Sequence, residues 1–177
     1  VFVRNWGGGA ARCGAVGLGT GTVMRPSLLG ARDPAGRLGA VELQPACADM
    51  ASRSVALNRL QDRIGVHTMD LKDAPDRLGH SAFDAVLCSP PYGPRGGAPR
   101  TPRDELAIAR HALATDLAAV VRSAAALLRH GGRFFMTHQA DRLPDIARTL
   151  PEAGTPPKPV RLTQPSLHRH ARLALLE

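Results

Sequence analysis

The run Ser89-Pro90-Pro91-Tyr92 carries the sharpest chemistry in the chain. Consecutive prolines lock the backbone and remove two N–H donors, so the Pro90 carbonyl becomes a fixed acceptor. Ser89 adds a side-chain oxygen beside it. Two oxygens aimed at one NH2 group are what methylation of an aromatic amine needs. They hold both amino hydrogens, favour a pyramidal nitrogen and free a lone pair otherwise delocalised into the ring. Tyr92 offers a flat face on which an extruded base can stack, a contact of about 1–3 kcal/mol. Taken alone, the same four residues also make an ordinary diproline turn with a packed tyrosine.

Upstream lie three features that suit a nucleoside-containing ligand. In Gly17-Leu18-Gly19-Thr20-Gly21-Thr22, the glycines at 17, 19 and 21 let the backbone turn sharply and approach a ligand, although a plain tight turn uses the same residues. Glu42 follows at about 20 residues' distance, the spacing at which an acid meets ribose hydroxyls. Its carboxylate can accept two hydrogen bonds from a cis-diol, and Leu43 shares its strand end. Asp70-Leu71 is suited to an adenine, the acid taking the amino group and the leucine covering the ring. A loop acid or a helix N-cap is the alternative for Asp70.

Short strands alternating with helices must position these groups. Apolar runs at Ala15–Leu18, Leu38–Leu43, Ile64–Met69, Phe83–Cys88 and Arg133–His138 read as strands. Helices are expected from Pro45 to Leu60 and from Asp141 to Leu150, with proline tolerated in the first turn. The clearest helix spans residues 115–130, where Leu117, Val120, Val121, Ala124, Leu127 and Leu128 share a face. Thr115 is its expected N-cap and Gly131 its stop. Val160–Thr163 and Ala171–Leu176 are expected to pair as a closing hairpin. The pattern predicts an α/β fold with a mostly parallel sheet, in which ligands sit at the carboxyl ends of the strands. Residues 1–12 are expected to be a disordered segment or the remnant of an N-terminal truncation, and residues 13–177 the working domain.

Composition narrows the classes. The 177 residues suit one core, with 44% hydrophobic and 21% charged residues. No apolar run approaches the roughly 20 residues of a membrane span, and no signal peptide is evident, so a cytoplasmic protein is expected. Cys13, Cys47 and Cys88 form no Cys-x-x-Cys pair, which argues against a disulfide framework and a zinc site. The histidines show no ligand spacing, and no metal is expected. His138 follows a strand and is read as structural. Aromatic residues at 3% argue against a surface of many stacking rings. A formal net charge of +8 suits a phosphate-bearing partner, although arginine-rich usage also arises from genomic base composition. Arg95, Arg100 and Arg103 after the diproline run are candidates for phosphate contact.

The arrangement resembles the class I S-adenosylmethionine (SAM)-dependent methyltransferases that modify amino groups, with their (Asn/Asp/Ser)-Pro-Pro-aromatic motif. Gly39–Pro45, Phe83–Tyr92, Ala107–His111 and Ala140–Pro144 are similar to the bacterial tRNA1(Val) adenine-N6 methyltransferases. The resemblance implies a Rossmann-like, seven-stranded sheet with its last strand antiparallel, SAM as cofactor and a tRNA substrate modified beside the anticodon. It implies that Gly17, Gly19, Gly21, Glu42, Leu43, Asp70, Leu71 and Ser89 meet the cofactor, and that Ser89, Pro90, Pro91 and Tyr92 hold the target base. A monomer or weak dimer is expected, with no membrane partner. Ser89 stands where this branch carries Asn, Gly17 where an acid is usual, and Val23 where Gly is frequent. These differences leave open methylation of a DNA amino group (cytosine N4 or adenine N6), of a protein glutamine, or an inactive RNA-binding paralogue.

Overall fold

The computed structural model describes the backbone of Arg12–Val16 and residues 36–90, 117–166 and 168–177. The seven strands are β1 (Arg12–Val16), β2 (Arg37–Glu42), β3 (Ile64–Thr68), β4 (Phe83–Cys88), β5 (Leu128–Gln139), β6 (Val160–Thr163) and β7 (Leu173–Leu176). They form one sheet in the order β3-β2-β1-β4-β5-β7-β6. Neighbours from β3 to β5 are parallel, and β7 runs antiparallel to both β5 and β6. The expected sheet of seven strands with an antiparallel last strand is therefore present. The order reverses between β1 and β4, which is where ligands enter such sheets.

The helices bury the two faces of this sheet. Helix α1 (Pro45–Leu57) starts with proline in its first turn, where a missing N–H costs nothing. Its Ala48, Ala51 and Val55 are buried at helical spacing. Ala51 and Val55 pack with Leu38, Ala40 and Ile64. After a 3-10 turn (Leu71–Asp73) comes the short helix α2 (Ala74–Leu78). Helix α3 (Leu117–Leu127) and helix α4 (Leu143–Glu152) cover the other side. Val120, Val121, Ala124 and Leu127 meet Val86, Cys88, Phe134, Met136, Ile146 and Leu150 in the larger core. Full burial of a side chain such as Leu127 or Ile146 contributes about 1.5–3 kcal/mol.

Several boundaries differ from the sequence reading. β1 is described from Arg12 to Val16, so Arg12 belongs to the sheet, and Gly17 and Leu18 lie outside the described residues. α1 stops at Leu57, three residues early, because Leu60 turns inward against the second core. α3 ends at Leu127 instead of running to Gly131. Pairing of Leu128 with Phe83 takes the chain out of the helix there. Gly131 instead lies in β5 with φ +74°, where the register jumps from Phe83↔Leu128 to Ala85↔Arg133. The expected helix Asp141–Leu150 is a 3-10 turn (Ala140–Arg142) leading into α4. β6 and β7 do pair, β7 starting at Leu173. Thr115 and residues 1–11 lie outside the described residues.

Among the described residues, no helix is long and apolar enough to cross a membrane. Nor does any group of three His, Cys, Asp or Glu side chains there converge on a point that could hold a metal.

Candidate functional site

The parallel strands β3, β2, β1, β4 and β5 bring their carboxyl ends to one rim. The register sets what meets there. Val16 at the end of β1 lies opposite Val41 on one side and Cys88 on the other. Glu42 and Ser89 are the next residues on those flanking strands, separated by the width of β1, roughly 10 Å at the usual strand spacing. Gly17, Gly19, Gly21, Pro91 and Tyr92 lie outside the described residues, as do Arg95, Arg100 and Arg103.

Glu42 is 6% exposed. Its Oε1 accepts the backbone N–H of Gln44 at 3.0 Å. Its Oε2 is buried without a hydrogen-bond partner among the described residues. A buried acceptor left unmade costs about 1–3 kcal/mol, more when charged. The arrangement therefore suits a ligand that brings a hydroxyl donor, and a ribose diol does so. Leu43, next in the chain, is 37% exposed at the same rim.

The backbone joins Glu42 to the end of β3, since Met69 N–H donates to the Glu42 carbonyl at 3.1 Å. Asp70 follows. One of its oxygens, Oδ1, accepts the Lys72 N–H at 2.9 Å and caps the 3-10 turn. The capping reading of Asp70 is thus present in the fold, and it leaves Oδ2 for other use. Leu71, next in the chain, is buried in the larger core.

On the other flank, Pro90 is buried while Ser89 is exposed. Beneath them Cys88 is 6% exposed, and burial pushes its thiol up to about 12. It is a protonated core thiol, not a nucleophile. His138 closes the rim at the end of β5, two residues past the Cys88↔Met136 pair. It is 7% exposed, and burial holds its pKa below the usual imidazole value. Nδ1 accepts the Gln139 N–H at 2.9 Å, so in the neutral ring Nε2 carries the proton.

The structure therefore gathers Glu42, Leu43, Asp70, Ser89 and Pro90 on one edge of the sheet, from strands far apart in sequence. Two contributions escaped the sequence reading. Gln44 acts through its backbone N–H, which leaves no mark on residue type. Arg169 and Arg172 come to the same rim from the β6–β7 connection. Their signal was available, because no Asp or Glu stands between Glu152 and Glu177.

No family model matches the chain. It is 28% identical over 131 residues to the tRNA1(Val) (adenine(37)-N6)-methyltransferase of Porphyromonas gingivalis strain W83, covering 73% of this chain and 51% of that protein. The protein of the same name from Phocaeicola vulgatus is 32% identical over 126 residues, covering 71% of this chain and 50% of the relative. The chain spans about half the length of the curated relatives it matches. Among solved structures, a predicted O-methyltransferase from Agrobacterium tumefaciens superposes with a TM-score of 0.69 at 20% identity, covering 94% of this chain and 72% of that one. The geranyl diphosphate C-methyltransferase of Streptomyces coelicolor, solved with S-adenosyl-L-homocysteine, gives 0.64 at 13% identity over 94% and 72%.

Proposed function

We propose, from a chain with the class I SAM-dependent methyltransferase fold and sequence similarity to tRNA1(Val) adenine-N6 methyltransferases, that it methylates the N6 amino group of an adenine in tRNA. The observation that carries this reading is the buried, half-satisfied Glu42 carboxylate across the β1 end from Ser89-Pro90. One side of the crevice suits a ribonucleoside cofactor and the other an amino group.

In this reading Glu42 Oε2 accepts from a ribose hydroxyl of SAM, with Leu43, Asp70 and the glycines at 17, 19 and 21 beside the rest of that ligand. When bound, SAM supplies an electrophilic methyl group. The Pro90 carbonyl and the Ser89 hydroxyl hold the two amino hydrogens of the base, and Pro91 keeps that corner rigid. Tyr92 stacks on the ring. Positioning supplies most of the rate. No general base is needed, since the nitrogen becomes acidic once it carries the new bond and sheds its proton to solvent.

The test pairs two variants with one product assay. Isothermal titration with SAM should show Glu42→Ala weakened at least tenfold and Tyr92→Ala near the parent. Nucleoside mass spectrometry after incubation with unmodified tRNA should show N6-methyladenosine for the parent and at least a hundredfold less for Tyr92→Ala. N4-methylcytosine in DNA, or a methylated glutamine in protein, would move the substrate. Absence of SAM binding by the parent would overturn the reading and favour a chain that binds RNA without catalysis.

A further inference from the structure

The β6–β7 connection lies in a one-signed stretch of the chain. From Ala153 to Leu176 the chain carries Lys158, Arg161, Arg169 and Arg172 and no acid. Topology decides where those charges sit. β6 runs parallel to β5, because both pair antiparallel with β7. Thr163 therefore ends β6 at the same rim as Ser89, and Leu173 starts β7 there, opposite Gln139. The backbone fixes the crossing. Arg172 N–H donates to the Thr163 carbonyl at 2.9 Å, the Arg172 carbonyl accepts Ala140 N–H at 3.0 Å, and Arg169 N–H donates to the Ser166 carbonyl at 3.1 Å. With β5 between them, and with Leu173 three residues beyond the level of Cys88, the β7 start lies roughly 14 Å from the end of β4, by the usual strand spacing and rise.

Both arginine side chains are exposed. Neither forms an ion pair or hydrogen bond with the described residues, nor does Arg161. The contrast with the neighbouring elements is sharp. Arg133 is paired with Glu177, and Arg142 and Arg148 share Asp145. Arg53 and Arg129 are likewise paired, with Asp49 and Asp84. At this corner of the rim Arg169 and Arg172 have no acidic partner among the described residues, beside the strand end that would hold the target base.

We propose that Arg169 and Arg172 hold the phosphodiester backbone of an RNA substrate, one to a few nucleotides from the base presented to Ser89 and Pro90. Each guanidinium matches two phosphate oxygens in a planar fork. The inference rests on the reading of the amino site given above, and it names the surface that delivers the base there.

The experiment uses a fluorescein-labelled, unmodified tRNA transcript and fluorescence anisotropy across a salt series. The double variant Arg169→Ala/Arg172→Ala should bind at least tenfold more weakly. Its slope of log K against log salt should be shallower by about 1–2, the counterions released by two phosphate contacts. The comparison variant Arg37→Ala/Lys158→Ala removes the same charge from the opposite end of the sheet and should change binding less than twofold. Circular dichroism checks that both variants are folded. Equal weakening by the two doubles reduces the effect to net charge and overturns the proposal. So does no weakening by the first, or tighter, equally sensitive binding of a DNA duplex of the same length. A parent chain that binds RNA through these arginines yet forms no N6-methyladenosine overturns the proposed reaction and leaves the surface standing.

Discussion

Glu42 and His138 are held at the rim by the same device. In each, a nearby backbone N–H fixes one heteroatom of the side chain and so decides what the other atom does. Gln44 N–H occupies Oε1 of Glu42 and leaves Oε2 as the acceptor. Gln139 N–H occupies Nδ1 of His138 and leaves Nε2 as the donor. The sequence showed the residue types and placed both after strands, but a side chain's binding atom is set by backbone geometry that residue type does not encode. For His138 the arrangement has a consequence for stability. Burial is the main influence and lowers its pKa, a backbone hydrogen bond with Gln139 opposes it, Arg142 lowers it further, and Asp141 and Asp145 oppose it. The depressed value means that below 6.5 the unfolded chain takes up a proton the folded chain resists. The stabilisation is complete above that pH and is lost as pH falls. His138→Asn keeps an acceptor near the Nδ1 position and removes the proton uptake. Urea midpoints compared at about pH 7.5 and about pH 5 should therefore fall less in the variant than in the parent. An identical fall would show that His138 is not the group resisting protonation.

Elements with clean alternation or a clear apolar stripe were legible. The sequence reading gave Phe83–Cys88 and Val160–Thr163 with their observed ends. It failed at the α3–β5 junction, where Leu127 and Leu128 continue the helical stripe on paper. Pairing with Phe83 is a long-range contact, and it overrides local periodicity there. The two glycines that follow do different work from the helix stop expected of them. Gly131 has φ +74° with open space around a would-be Cβ, so its requirement is purely conformational. At Gly132 a Cβ would lie 2.9 Å from the Arg129 carbonyl oxygen, so its requirement is a close backbone approach. Gly131→Ala should therefore cost about 1–2 kcal/mol, the left-handed penalty alone. Gly132→Ala should cost more, since a backbone atom must shift. Urea unfolding of the two variants measures the order, and a cheaper Gly132→Ala would contradict the close approach.

At the scale of the whole molecule, strand order makes the site. Glu42 and Ser89 are brought to either side of β1 only because the sheet reverses direction between β1 and β4. Alternating strands and helices announced an α/β fold, but seven strands with an antiparallel seventh came from the family resemblance. Local patterns hold no information on which strands become neighbours. The glycine loop and Tyr92 lie outside the described residues, so the structure assembles the Glu42 and Ser89-Pro90 flanks of the crevice. One further property follows from where Cys88 stands. Its thiol is shut into the middle of the sheet and kept protonated by burial, whereas Cys47 is half-buried at the start of α1. An alkylating reagent should mark Cys47 at an ordinary rate and reach Cys88 only when β4 opens, as peptide mass spectrometry of a timed reaction would show. Equal labelling of the two would mean the sheet centre is loose. Because Cys88 immediately precedes Ser89, its slow alkylation is a built-in clock for that edge of the protein. Anything that seats there and holds β4 closed lengthens the clock, so small molecules and RNAs can be screened for occupancy before a single turnover has been observed.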